Sequence, residues 1–288
     1  MNKKFKTYIS RLSVRISPRL FFSLSYLHNR GRLPNLLNPK DLSEILVKRV
    51  LNGEINRYSY LADKHAVREY VISKGLGSIL TPLIGVYTDV NQIKFEELPN
   101  KFALKMNFGA GMNVICTDKS KLDINKTKNK LHLWINSPQT YSLSEKHYNL
   151  IPHKIVCEQF IDDGTGGFPY DYKFMCIHGK PVCVLACSGR GTANKHLAPY
   201  DMEWNPVPQY DKLHRAIQID CPSNFEEMKE IAMKLSDGID FVRVDLYSNG
   251  EQVWFGEMTL TPAGCILHGW TKLALDEMGK LYLDGKKN

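Results

Sequence analysis

The chain has 288 residues, of which 43% are hydrophobic and 24% charged, with a formal net charge of +8. That is ordinary globular composition: it excludes a fibrous or disordered chain and leaves room for one large domain or two to three small ones. The basic excess is local, since residues 1–40 hold nine Lys/Arg and no acid, leaving 29 basic against 30 acidic residues in the rest. A folded nucleic-acid-binding face is therefore not expected. Seven scattered cysteines (116, 157, 176, 183, 187, 221 and 265) form no CxxC pair and no zinc spacing, so reduced, mostly buried thiols are expected.

In chain order, Phe5, Ile9, Leu12 and Ile16 recur at helical spacing among Lys4, Arg11 and Arg15 until Pro18. This reads as a short basic amphipathic helix, too charged for a signal peptide and too short to span a bilayer. Such a helix either lies on an anionic membrane surface or packs on its own body. Next, "LNPKDLSEILVKRVLNGEI" reads as a helix after Pro39, and "YLADKHAVREYVISKG" as a single second one ending at Gly75. Leu61, His65, Val67, Tyr70 and Val71 give its apolar face. Asp63, Lys64 and Arg68 lie on the other, where a solvated charge network is as fair a reading as a functional one.

"KFALKMNFGAGMNVICTD" alternates as a strand, passes a glycine-containing loop and returns as a strand. Small loop residues let backbone N–H groups close on phosphate oxygens, and Lys105 would balance their charge. No Walker loop, GxGxxG, GxSxG or HExxH occurs. "KLDINKTKNKLHLWI" follows as a helix, and "KIVCEQFID" as a buried strand carrying Glu158. "PYDYKFMCIHGKPVCVLACSGRG" is a hairpin turned at His178-Gly179, with Asp171, Lys173 and Arg190. "SNFEEMKEIAMKLSDG" is the clearest helix, with Ser223 and Glu226 forming a capping box and Gly238 closing it. The stretch 192–222 has little periodicity and four prolines, and reads as a loop suited to substrate selection or to plain connection.

"FVRVDLYSNGEQVWFGEMTLTP" is a hairpin with Asp245 and Glu257 inside apolar strands and Arg243 beside the first. A tight Asn249-Gly250 turn would pair Asp245 with Trp254 and send Glu257 to the opposite face. For the two carboxylates to share one ion, the connection must centre near Glu251, or a bulge, at Gly256 for instance, must shift the register.

Taken together, "LNPKDLSE", "LADKHAVREYV", "LPNKFALKMNFGAGMN", "CEQFIDD", "DYKFMCIHGKP", "FVRVDLYSNG" and "FGEMTLTPAG" resemble the ATP-grasp superfamily, and within it the TupA-like branch, from about residue 37 to the C-terminus. The resemblance implies an α+β ATP-grasp fold, two α+β lobes clasping ATP, with a helical N-terminal segment. The expected divisions are a basic arm at 1–36, a helical region at 37–98, a small lobe at 99–160 and a large lobe bearing the metal site at 161–288.

The resemblance further implies ATP and Mg2+ as cofactors. Lys105, Asn107, Gly109 and Gly111 would meet the phosphates, Glu158 and Phe160 the adenine at the hinge, Asp171 the ribose, and Lys173 phosphate or an acidic substrate. Asp245, Glu257 and Thr259 would be metal ligands, with Thr259 standing where the superfamily usually has Asn. Arg243, Lys105 and Arg190 would be catalytic. The implied enzyme is an ADP-forming ligase that activates a carboxylate as an acyl phosphate for attack by an amine or amino acid. Its carboxylate would belong to a surface polysaccharide or its precursor, in the cytoplasm or at the inner face of the membrane through residues 1–20, with no nucleic acid involved. The competing expectation is a glycosyltransferase or polysaccharide-assembly protein on the same fold, against which the absence of a DxD-type motif counts.

Overall fold

The computed structural model describes residues 17–136, 143–164, 167–189, 195–213 and 218–286. The amphipathic stretch at 5–16 and Arg190 lie outside the described residues. Among the described residues nine strands form two antiparallel sheets, ordered β1-β4-β2-β3 and β7-β6-β5-β8-β9. The first contains β1 (Leu83–Tyr87), β2 (Phe102–Met106), β3 (Asn113–Cys116) and β4 (Ile155–Gln159). The second contains β5 (Tyr170–Ile177), β6 (Lys180–Ser188), β7 (His196–Tyr200), β8 (Phe241–Ser248) and β9 (Val253–Thr259). The helices are α1 (Pro18–Arg30), α2 (Leu42–Leu51), α3 (Ser59–Ala62), α4 (Val67–Ser73), α5 (Ile124–Ile135), α6 (Phe225–Ser236) and α7 (Lys272–Gly285).

Strand alternation places the site. In β5 and β8 the even-numbered Phe174, Cys176, Val242 and Val244 join the core beneath α6, while Met175, Ile177 and Phe241 pack in a second core with α1, α2 and α7. Asp171, Lys173, Arg243 and Asp245 share the odd-numbered face, beyond the end those helices cover. In the first sheet Phe102, Leu104 and Met106 are buried in the larger core, which leaves Ala103 and Lys105 on the opposite, cleft-facing side. The expected buried thiols are seen: six of the seven cysteines are buried, and Cys221 is exposed.

Several local expectations give way to longer-range chemistry. The single helix expected over 59–74 is α3 and α4, separated at Asp63, whose backbone is extended. Asp63 Oδ1 accepts from the amides of His65 and Ala66 at 2.8 and 3.3 Å, an Asx-type turn that competes with helix propagation. The region 37–98 is not wholly helical, because it supplies β1 to the first sheet. Pro18 ends one pattern but also begins α1, where its missing N–H costs nothing and Ser17 caps Leu20. Within 192–222 the chain forms the edge strand β7, with Ala198 and Tyr200 buried.

The Ser223/Glu226 capping box does not form. Asn224 is the N-cap of α6 and makes no side-chain cap bond. The Ser223 hydroxyl instead donates to the Gly250 carbonyl, and Asn224 accepts from Ser248 Oγ, so both residues fasten α6 to the β8–β9 connection.

Candidate active site

The β8–β9 hairpin has the looser shape that two facing carboxylates demand. Ser248 pairs with Val253 across a four-residue loop whose Asn249 Oδ1 accepts from the Glu251 and Gln252 amides. Leu246 then pairs with Phe255 but Asp245 with Glu257, so Gly256 is the extra residue of a bulge. Only glycine fits there: a Cβ would stand 2.7 Å from the Asp245 carbonyl oxygen.

This register assembles a row of alternating charge. Lys173, opposite Asp245 on β5, donates to Asp171 at 2.8 and 2.9 Å and to Asp245 at 2.6 Å. Arg243 donates two bonds of 2.6 Å to Asp245 and one of 3.0 Å each to Glu257 and Thr259. The Thr259 hydroxyl also donates to Glu257 at 3.2 Å. Burial pushes the Asp245 carboxyl up against the pull of Arg243 and Lys173. At Glu257 burial pushes the same way, but Arg243, Lys64 and Lys173 outweigh it and hold the carboxyl at about 2. Both Lys173 and Arg243 are held protonated by Asp245, despite the opposing effect of burial.

The other wall carries its own ion pairs. Lys105 Nζ meets Glu158 at 2.7 Å, and Arg68 meets the other oxygen of Glu158 at 3.0 Å while donating to the Thr81 carbonyl at 2.9 Å. The connection from β2 to β3 turns through Gly109 and Gly111, both at positive φ. Lys64 donates from Nζ to the Gly109 carbonyl at 2.9 Å, and its amide donates to the Asn107 carbonyl. Burial pushes the Lys64 ammonium down, opposed by Glu257 across the cleft.

Between the walls lies a cavity of about 440 Å³. Its charged lining is Lys64, Arg68, Lys105, Glu158, Lys173, Asp245 and Glu257; Ile115, Phe160, Phe168 and Phe255 are among its apolar residues. Of the residues singled out from the sequence, Lys105, Gly109, Gly111, Glu158, Phe160, Lys173, Asp245 and Glu257 reach this lining. Arg243 and Thr259 stand behind it, bonded to Glu257. Two of the expected residues do not reach this lining. Asn107 is fully buried under the loop, its side chain donating to Asp63 and the Pro152 carbonyl and accepting from the Lys154 amide. Asp171 is buried at the Lys173 ammonium and is not part of the lining.

Lys64 and Arg68 are the additions. The solvated network is not what forms: Asp63 is buried, Lys64 seats on the glycine loop and Arg68 on Glu158. The available signal was their inclusion in "DKHAVREYV".

The family described as TupA-like ATPgrasp matches residues 44–279, most of the chain. The protein belongs to the TupA-like ATP-grasp family. It is thus an ATP-grasp protein, of a class that uses ATP with Mg2+. Among solved structures, a D-alanine–D-alanine ligase from Bacillus anthracis complexed with ATP is similar at 15% identity and TM-score 0.46, over 79% of this chain and 67% of that one. An ADP complex of purK, N5-carboxyaminoimidazole ribonucleotide synthetase, is similar at 12% and 0.43, over 70% and 45%. D-cycloserine synthetase DcsG is similar at 11% and 0.43, over 80% and 71%. The TupA-like chain thus spans 45–71% of the length of these three, and the family match alone makes the assignment. A search of the curated proteins finds no match.

Proposed function

We propose that the protein is an ATP-dependent carboxylate–amine ligase that joins an amine or amino acid to a carboxylate of a surface polysaccharide or its precursor. One observation carries the nucleotide part of this reading: two lysines of the first wall, Lys64 and Lys105, and two carboxylates of the second, Asp245 and Glu257, line one cavity. The proposed lobes are 99–160, its sheet completed by β1, and 161–288.

The donor set fits Mg2+. Asp245 and Glu257 face each other with the Thr259 hydroxyl beside them, all hard oxygen donors. Among the described residues no group of three or more His, Cys, Asp or Glu is placed to hold a metal alone. That also suits Mg2+, which commonly binds one or two carboxylates and completes its shell with water and substrate phosphates. Bound there, Mg2+ would neutralise phosphate charge during phosphoryl transfer.

The chain's own groups do the rest. Lys64 and Lys105 would hold phosphate oxygens, and Gly109 and Gly111 allow the backbone to close over them. Phe160 and Phe168 offer an apolar wall to the base, and Glu158 an acceptor, fixed by Arg68. Arg243, anchored by two bonds to Asp245, would steady the oxyanion that develops when the amine adds to the acyl phosphate.

The test is ADP and phosphate release from Mg-ATP with a uronic-acid glycan and a panel of amino acids. ADP formation that requires both co-substrates supports the reading. Consumption of a UDP-sugar, with ATP bound but never turned over, overturns it.

A further inference from the structure

Outside the cavity lining, α1 carries a feature that ligation does not use. Helix α1 is attached to the body by one face only. Phe22 and Tyr26 are fully buried there. At its C-terminal end Arg30 donates to three carbonyls, those of Trp270, Ile266 and Leu267, at 2.7–2.8 Å. Lys212 adds a bond to the Asn29 carbonyl. The other face bears Leu20, Leu24 and Leu27, which are 49, 51 and 42% exposed. At 100° per residue these three form one narrow stripe, directly opposite Phe22 and Tyr26. Three half-exposed leucines on a helix already held by its other side are not explained by packing.

The sequence around the stripe identifies its occupant. Phe5, Ile9, Leu12 and Ile16 precede Leu20, Leu24 and Leu27 with every step three or four residues. Interleaved are Lys3, Lys4, Lys6, Arg11, Arg15 and Arg19, and no acid occurs before Asp41. An apolar stripe in a sequence whose only charges are cations suits a surface that is apolar beneath an anionic layer. A second copy of the chain suits it poorly, because a two-fold interface would set the same uncompensated cations against each other.

We propose that the leucine face of α1 docks the protein on an anionic lipid bilayer. The attachment is peripheral: among the described residues no helix is long and apolar enough to cross a membrane. Through Arg30 the docked helix is joined to the loop that follows β9, the strand bearing Glu257 and Thr259. The proposal goes beyond the ligase reading and does not depend on it.

The experiment is flotation of the full chain with vesicles of phosphatidylcholine alone or mixed with phosphatidylglycerol, at low and high salt. A triple variant, Leu20→Gln with Leu24→Gln and Leu27→Gln, is run beside it. It leaves Phe22, Tyr26 and Arg30 in place, and an unchanged melting temperature and ATP affinity confirm that the body is intact. The wild type is expected to float with the anionic vesicles only, and less at high salt. The variant is expected to partition about tenfold less or weaker still. Equal flotation of the two proteins overturns the proposal, as does failure of the wild type to float. Light scattering is a further arm: a wild-type dimer that the triple variant dissociates would make the face a self-association surface and refute membrane docking. ATP binding is measured separately, so neither reading fails with the other.

Discussion

Gly256 is where register becomes chemistry, and Gly256→Ala is the perturbation that tests it. The new Cβ would lie 2.7 Å from the Asp245 carbonyl oxygen and 3.2 Å from its carbonyl carbon. Neither atom can rotate away. To reach an ordinary contact of 3.4 Å the bulge must open by about 0.7 Å. Overpacking of this kind costs about 1–3 kcal/mol. The same shift separates Asp245 from Glu257, which the bulge holds opposite each other. Misplacing the groups that orient metal ligands typically weakens metal binding by about 10–100-fold.

The assay is calorimetric titration of ATP with and without Mg2+. Gly256→Ala is expected to lose most of the gain in affinity that Mg2+ gives, and much less of the Mg2+-free binding. Gly250→Ala is the control. It lies in the same hairpin at φ +94°, with Ser223 Oγ its nearest neighbour at 3.8 Å. It should cost about 1–2 kcal/mol of backbone strain, with Mg2+ dependence intact. If Gly256→Ala binds Mg-ATP as the wild type does, or if both variants lose Mg2+ dependence alike, the bulge does not set the metal geometry.

Three further expectations concern single groups. Lys64→Met should raise the Kd for ATP by about 10–100-fold, the loss of one charge-assisted bond, with unchanged circular dichroism; an unaltered Kd would return Lys64 to a purely structural role. Arg68 and Glu158 have side chains only 15 and 11% exposed, so a double-mutant cycle of Arg68→Met and Glu158→Gln in urea should give a coupling of about 1–3 kcal/mol, and strict additivity would deny the pair. His147 is 1% exposed, and burial alone lowers it from 6.5 to about 4, so the folded state prefers it neutral. The stability this contributes is complete above pH 6.5 and is lost as pH falls toward 4, by up to about 3 kcal/mol; His147→Leu should flatten that part of the stability profile, and an unchanged slope would assign it to other groups.

What could be read in advance was whatever local patterning encodes. The alternation in "FALKM" and "FVRVDLY", the stripe of α6 and the turn at His178-Gly179 all became the elements expected. The register of β8 and β9 was legible too, since facing carboxylates and a tight Asn-Gly turn are geometrically incompatible. The misses are residues whose partners lie far along the chain. Lys64 seats on a carbonyl 45 residues away and Arg68 on a carboxylate 90 residues away, and neither distance leaves a trace in helical periodicity. Ser223 and Glu226 had the right spacing for a capping box, but the Gly250 carbonyl competed for the same hydroxyl. Asn107 shows the same ambiguity: a short amide beside a glycine loop serves equally to hold phosphate or to hold the loop, and here it bonds three protein partners.

The row Asp171–Lys173–Asp245–Arg243–Glu257 carries three carboxylates and two cations, with Lys64 facing it across the cleft. Its members do not bear the same structural load. Asp245 has a side chain only 2% exposed and bonds both Lys173 and Arg243; without its charge those two cations face each other with a buried counterion missing. Removing one partner of a buried pair costs about 3–5 kcal/mol, so Asp245→Asn should unfold at markedly lower urea whatever happens to the metal. Glu257 is 37% exposed on its side chain and bonds one member of the row, Arg243, besides the Thr259 hydroxyl, so Glu257→Gln should cost far less stability while still removing a donor oxygen from the metal site. Loss of Mg2+ dependence in Glu257→Gln with the fold intact would therefore report on the metal, whereas loss in Asp245→Asn would mix the metal with collapse of the row. Equal urea midpoints for the two variants would show that Asp245 is not the centre of that network.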